Sequence, residues 1–168
     1  MKRLAAVVLC LLSCLAATAE DRGFPGYEAL REKTRPLWSG ENAANGTYVV
    51  LVPDGYTYQQ KSLMEQYAQG MVDYFRTKTP YAELDKFINY TLVYAYSSEA
   101  GTDQCDCGIV VNTPMGTRFP NAGDPCGGSE NRCLYYGGGC DTSGTANIVA
   151  AEQRAPFLDT TIVMVNTT

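Results

Sequence analysis

The sequence contains no histidine among its 168 residues. This absence excludes the Ser-His and Cys-His nucleophilic arrangements in their ordinary form, because both use an imidazole as the base. It also excludes a His-Glu-x-x-His zinc motif, and nearly every catalytic zinc site, within these residues. A Gly-x-Ser-x-Gly nucleophile elbow, a phosphate-binding glycine loop and a dinucleotide fingerprint are absent as well.

Clusters of basic residues are also missing. The chain has 13 Lys and Arg residues against 18 Asp and Glu residues, which gives a formal net charge of −5. An acidic surface without a basic patch predicts that neither nucleic acid nor anionic lipid is a partner. The one long apolar run, residues 4–15, is too short to cross a bilayer, since a spanning helix needs about 20 residues.

That apolar run belongs to a typical secretory signal peptide. Residues 1–3 carry the positive charge, residues 4–15 are apolar, and residues 17–19 form a small-residue cleavage site. We therefore predict cleavage after Ala19, secretion, and no membrane attachment afterwards. The alternative is a lipoprotein signal with Cys14 as the lipidated residue, but the residues after Cys14 stay apolar.

Export has consequences for the cysteines and for the glycosylation sequons. Disulfides are predicted more strongly than metal ligation for the mature cysteines Cys105, Cys107, Cys126, Cys133 and Cys140. Five is an odd number, so at most two bridges form within the chain and one thiol remains; their connectivity is open. Three Asn-x-Thr triplets make glycosylation candidates of Asn45, Asn89 and Asn166.

The hydrophobic pattern predicts an α/β fold. Apolar runs rich in β-branched residues predict strands at residues 47–53, 91–96 and 160–165. Apolar residues at helical spacing from Leu63 to Phe75 predict a helix that follows a capping box at Thr57 and Gln60 and ends near Lys78. A second helix is predicted at residues 147–154. This alternation predicts a mixed or mostly parallel central sheet with flanking helices.

The remaining segments set the domain boundaries. We assign residues 1–19 to the signal, 20–46 to a polar lead-in with a helical turn at residues 31–35, and 47–168 to the α/β domain. Residues 97–144 are predicted to form a long loop with ten glycines and all five mature cysteines. Loops of this length are usually cross-linked or functional. The last strand is apolar on both faces and needs covering elements, so we expect the chain to be the front part of a longer protein.

Two groups of loop residues are candidates for a cleft or for structural motifs. Asp54, Gly55 and Tyr56 follow a strand at the end where α/β proteins often bind ligands, although Asp-Gly also simply favours a turn. Glu99 and Asp103 belong to the acidic residues of the long loop. Such carboxylates could form an acid and base pair for glycoside hydrolysis or could bind calcium, but no spacing matches a defined motif.

Six short segments, taken in order, resemble the secreted zinc metallopeptidases of the IgA-peptidase family. They are residues 49–57, 79–81, 87–89, 97–103, 111–113 and 159–166. The resemblance covers residues 47–168 and implies the N-terminal part of a metallopeptidase-like catalytic domain. It also implies zinc as cofactor and a protein or peptide substrate in the intact enzyme. The family's His-Glu-x-x-His helix is missing here, so no catalytic or zinc-binding residue is carried over, and we expect this chain to bind no zinc.

Three functional hypotheses follow. The leading one is the N-terminal portion of a secreted zinc-dependent endopeptidase, inactive by itself. The alternative is a secreted non-catalytic binding module or inactive homologue that uses the loop at residues 97–144 as its contact surface. The third is a histidine-free hydrolase with Glu99 and Asp103 as its carboxylate pair. The sequence specifies neither the substrate nor the oligomeric state.

Overall fold

The computed structural model describes residues 33–104, 108–119, 134–135 and 144–167. Within them, one four-stranded sheet has the strand order β1-β3-β2-β4. The strands are β1 (Thr34–Ser39), β2 (Thr47–Asp54), β3 (Ile88–Val93) and β4 (Thr160–Val165). β2 runs parallel to both β3 and β4, and β1 runs antiparallel to β3. The predicted mixed, mostly parallel α/β sheet is confirmed.

Three α-helices accompany the sheet in the described residues: α1 (Lys61–Phe75), α2 (Tyr81–Leu84) and α3 (Gly144–Glu152). A 3-10 turn at Tyr58–Gln60 precedes α1, and Gln60 Oε1 accepts a hydrogen bond from the Thr57 amide at 3.0 Å. This bond is half of the predicted capping box and satisfies a donor that the helix start would leave without a partner. α1 ends at Phe75, three residues before the predicted end, in a run of turns.

The sheet is buried on both faces, which explains why β2 reads as a continuous apolar run. On one face, Leu51, Tyr90 and Leu92 form a core with Met64, Ala68 and Val72 of α1. On the other face, Val50, Val52 and Val93 form a second core with Met115 and with Ile148 and Ala151 of α3. Successive strand residues therefore alternate between two helix-covered cores, as is typical of parallel sheets.

The predicted polar lead-in contains a strand. β1 pairs with β3 from Thr34 opposite Val93 to Ser39 opposite Asn89, with an irregularity between Pro36 and Trp38. A helical turn at residues 31–35 is therefore wrong where it overlaps β1. The strand was missed because it lies at the sheet edge, where proline and charged side chains are tolerated and the apolar alternation is weak.

The second predicted strand is displaced by three residues. β3 covers Ile88–Val93, because its pairing with β2 begins at Ile88 opposite Thr47. Tyr94, Ala95 and Tyr96 continue the apolar run and are buried, but they lie after the end of β3. The helix predicted at residues 147–154 is present as α3, which begins and ends slightly earlier. No helix in the described residues is long and apolar enough to span a membrane.

Candidate functional site

The carboxyl ends of the parallel strands gather the two groups of loop residues that the sequence analysis names as candidates for a cleft or a structural motif. The Gly55 amide donates to Ser97 Oγ at 2.8 Å, and the Ser97 amide donates to the Tyr56 carbonyl at 2.8 Å. The Gly101 amide donates to the Gly55 carbonyl at 3.0 Å. The turn after β2 and the loop after β3 therefore form one hydrogen-bonded unit at the sheet edge.

Gly55 is required by both its conformation and its surroundings. Its φ of +77° lies in the left-handed region, where a side chain adds strain. A Cβ atom at this position would lie 2.1 Å from the Gly101 carbonyl oxygen, which is a main-chain atom that cannot simply rotate away. The turn and the loop approach each other this closely only because residue 55 is glycine.

Asp54 is the centre of this unit and is fully buried. Its Oδ2 accepts hydrogen bonds from the Thr113 hydroxyl (2.9 Å), the Thr117 hydroxyl (2.6 Å) and the Thr117 amide (3.1 Å). Its Oδ1 accepts one from the Met115 amide at 3.0 Å. A carboxylate held by four donors is strongly bound in place. Asp54 therefore anchors residues 113–117 to the end of β2.

Further hydrogen bonds extend this anchor to Thr102 and Asn166. We call Asp54, its partners Thr113, Met115 and Thr117, and these two residues the Asp54 hub. Thr102 Oγ1 donates to the Thr117 carbonyl at 2.6 Å. Asn166, just after β4, donates from its amide nitrogen to the Asp54 carbonyl at 2.9 Å and from Nδ2 to the Gly55 carbonyl at 2.8 Å. Sequence reasoning missed the roles of Thr113, Thr117 and Asn166. These roles depend on contacts between distant segments, and no local pattern signals them.

Glu99 and Asp103 lie on this side of the domain and hold consecutive main-chain amides. Asp103 Oδ1 accepts from the Val111 amide at 2.6 Å, and Glu99 Oε2 accepts from the Asn112 amide at 2.7 Å. Asp103 is almost fully buried, whereas Glu99 is exposed. Both carboxylates thus fix the segment before Thr113, an arrangement that supports a structural role over an acid and base pair.

Two depressions open on the face of the sheet that α1 covers. One, of about 350 Å³, lies at the carboxyl end, between Tyr56, Tyr67, Met71 and Met164. Burial, together with the neighbouring Tyr67, raises the pKa of the Tyr56 phenol, so it stays protonated and neutral. The other, of about 570 Å³, lies at the opposite end of the strands and is mainly apolar.

A family model described as IgA Peptidase M64 matches residues 37–168. The chain belongs to this family. The match includes α1, α2, α3 and every described strand except the first three residues of β1. It confirms the family that six short sequence motifs indicated, as a partial catalytic-domain region. A comparison with curated proteins gave no match.

Membership in the M64 family indicates a peptidase, which acts on proteins, and a metallopeptidase family implies the use of a metal ion. The described residues do not fit such an ion, because no three His, Cys, Asp or Glu side chains among them are grouped to hold one. The whole chain also lacks histidine. No catalytic step can therefore be assigned to a metal held by these residues.

The three sequon asparagines of this M64 chain differ in exposure. Asn45 is exposed at the end of a 3-10 turn. Asn89 is buried, and its Oδ1 accepts bonds from Ser39 Oγ (3.0 Å) and the Gly40 amide (3.2 Å). Asn166 is buried in the Asp54 hub. A glycan on either buried asparagine would break these bonds, so the folded domain leaves Asn45 as the accessible candidate.

The predicted disulfides concern residues outside the described part of the chain. This holds for Cys105, Cys107, Cys126, Cys133 and Cys140. Their pairing stays a prediction. The segments on both sides of them are described, and Arg118 and Tyr135 exchange two main-chain hydrogen bonds of 2.9 and 3.0 Å beside the hub.

Proposed function

We propose that residues 47–168 are the N-terminal portion of the catalytic domain of a secreted, zinc-dependent endopeptidase, and that this portion alone does not hydrolyse peptides. The observation that carries the proposal is the M64 match over residues 37–168 in a chain without histidine. Catalytic zinc sites nearly always use imidazole ligands, so the ligands of this enzyme come from outside these residues.

This N-terminal portion contributes the scaffold. In a zinc peptidase the metal polarises the peptide carbonyl and activates water. Such chemistry depends on accurate positioning, since a misplacement of about 1 Å can lower the rate by about a hundredfold. The Asp54 hub supports this role, since it ties the turn after β2, the loop at residues 97–104 and the segment at residues 113–117 to one edge of the sheet. That edge is where α/β domains place their ligands.

Secretion is part of the proposal and rests on the signal pattern of residues 1–19. Sequencing the N-terminus of the exported product tests it directly. We expect Glu20 as the first residue. A lipid-modified Cys14 at the N-terminus would replace secretion by membrane anchoring, and an N-terminus at Met1 in the cytosol would refute export.

The activity is tested on the purified mature chain, residues 20–168, and on the gene. We expect no retained zinc after dialysis and no hydrolysis of a fluorogenic casein substrate, and we expect a His-Glu-x-x-His motif within a few dozen codons after codon 168. Proteolysis by the purified chain that a chelator abolishes would refute the assignment. A stop codon directly after Thr168 would instead favour the non-catalytic binding module that uses residues 97–144.

A further inference from the structure

The main chain just before β2 lies so close to the start of β3 that position 46 has to be glycine. A Cβ atom on Gly46 would lie 2.3 Å from the Phe87 carbonyl oxygen and 2.9 Å from Asn89 Nδ2. A residue without a side chain permits this approach. The residue before it is Asn45, so the fold keeps an Asn-Gly pair at the amino end of β2.

An Asn-Gly pair holds the reacting groups of a cyclisation. The main-chain nitrogen of the glycine attacks the asparagine Cγ, so that a new bond forms between them. The bond from Cγ to Nδ2 breaks, and Nδ2 leaves as ammonia with the proton of the attacking nitrogen. Water then opens the succinimide ring at either carbonyl, which gives aspartate or isoaspartate. A side chain on the second residue hinders the attack, and glycine has none; Asn45-Gly46 is the one Asn-Gly pair in the sequence.

The surroundings of Asn45 leave room for this reaction. The residue is exposed and is the last of a 3-10 turn of three residues, Ala43–Asn45. Its amide donates to the Asn42 carbonyl at 3.1 Å. A single short turn at the surface opens at a small cost in free energy, and the strands do not separate when it opens. Asn45 therefore reaches the conformation that the attack needs while the domain stays folded.

The Asp54-Gly55 pair shows how the fold blocks the same cyclisation elsewhere. An Asp-Gly pair forms the same succinimide with loss of water. Here four donors hold the buried Asp54 carboxylate, and the Gly55 amide donates to Ser97 Oγ at 2.8 Å. The carbon under attack and the attacking nitrogen are both held in place. The contrast between the two pairs comes from the fold and not from the dipeptide.

We propose that Asn45 is a site of spontaneous deamidation in the folded protein, and that a glycan on the same residue prevents this reaction. An N-linked glycan is attached to Nδ2, the atom that has to leave as ammonia, so the two modifications exclude each other. Thr47 completes the sequon that overlaps the Asn-Gly pair. Deamidation puts a negative charge directly before β2, and isoaspartate also lengthens the main chain there. The deamidation is independent of the peptidase assignment, whereas the glycan rests on the proposed export.

The unglycosylated mature chain, residues 20–168, tests the deamidation. It is incubated in mildly alkaline buffer with and without urea, and isoaspartate is located by peptide mass spectrometry and by methylation with an isoaspartate methyltransferase. Asn42 is the internal control, since it is also exposed but precedes Ala43. Without urea we expect Asn45 to react at least about tenfold faster than Asn42, because glycine does not hinder the attack, and we expect isoaspartate to form from Asp54 only in urea. Equal rates at Asn42 and Asn45, or isoaspartate from Asp54 without urea, would overturn the proposal.

Protein exported from a cell that attaches N-linked glycans tests the protection. T47A removes the sequon at an exposed position and keeps the Asn-Gly pair, whereas N42Q changes neither and is the matched control. We expect T47A to lose the glycan and to accumulate isoaspartate at Asn45, while the wild type and N42Q keep the glycan and accumulate none. Equal isoaspartate in the wild type and T47A, or an exported wild type without a glycan at Asn45, would refute the protection and leave the proposed export intact. Retention of the wild type in the cytosol would refute export itself.

Discussion

At the scale of single residues, Asp54 is the side chain on which the carboxyl edge of the sheet depends most. It accepts four hydrogen bonds and is fully buried, so D54N would turn one acceptor into a donor that faces other donors. We expect D54N to lower the free energy of unfolding by about 3 kcal/mol, as measured by urea unfolding of the mature chain. The only tryptophan, Trp38, provides the fluorescence signal.

D73N is the matched control, since the Asp73 side chain is 58% exposed on α1. It should change the free energy of unfolding by less than about 0.5 kcal/mol. Comparable losses in the free energy of unfolding for D54N and D73N would refute the role of Asp54 as an anchor of the sheet edge. The sequence predicts that Asp54 begins a turn after a strand ending at residue 53, whereas the structure makes Asp54 the last residue of that strand, β2. The sequence did not reveal the anchoring role, because the four donors lie about sixty positions away.

Replacing glycine by alanine should have opposite effects on stability at positions 55 and 70. G55A forces a side chain into the left-handed region and against the Gly101 carbonyl, so we expect a loss of about 3 kcal/mol in urea unfolding. G70A adds a methyl group in the middle of α1, where a Cβ would meet no atom within 4 Å. It should stabilise the domain by about 0.5–1 kcal/mol. A stable G55A protein would contradict the close approach of turn and loop.

At the scale of secondary-structure elements, Glu65 links α1 to β1 and to the segment that follows β3. Its carboxylate accepts hydrogen bonds from Arg35 of β1 (2.7 Å) and from Tyr94 after β3 (2.6 Å). Burial alone would raise the pKa of Glu65, but the Tyr94 hydroxyl and the charges of Arg35 and Lys61 outweigh it and hold the pKa below its usual value. A lowered pKa means that the folded state binds the proton less tightly than the unfolded state.

The stabilisation from Glu65 is therefore complete above the unfolded-state pKa of about 4.3 and is lost as the pH falls through the lower folded-state pKa. We expect E65Q to cost up to about 1 kcal/mol at pH 7, given the exposure of Arg35, and to cost progressively less below pH 4. Urea unfolding at a series of pH values measures this. E41Q, at an exposed position, should show no such dependence, and a cost that grows toward low pH would contradict the link.

The same elements explain how much of the fold could be predicted from the sequence. β2, β4 and α1 were predicted well because each combines a long apolar pattern with clear end signals such as Pro53 and the Thr57 capping box. β1 was missed because its stability comes from pairing with β3 rather than from its own pattern. β3 was shifted because Tyr94, Ala95 and Tyr96 are buried although they lie after the last residue of the strand. A buried residue after a strand and a buried residue within it are both apolar, so the sequence does not distinguish them.

At the scale of the whole molecule, the number of disulfide bonds depends on the compartment in which the protein resides. Five cysteines follow the predicted signal peptide, all in the loop that the sequence predicts between Ser97 and Gly144, and the Asp54 hub holds Ser97 and residues 113–117 of that stretch to the sheet. Two disulfides in that loop would reduce the entropy of the unfolded chain and would add about 2–4 kcal/mol each. Such bonds persist only in an oxidising compartment, so their number tests export independently of the signal peptide.

We expect thiol titration of the exported, denatured monomer to give one free thiol per chain, and five after reduction. Reduction should also lower the urea midpoint, because the loop loses its constraints while the sheet remains. The same chain produced in a reducing cytosol is the control and should give five thiols before and after treatment. Five free thiols in the exported protein would refute the disulfide prediction. A single free thiol would agree with two bridges and one unbridged cysteine among the five.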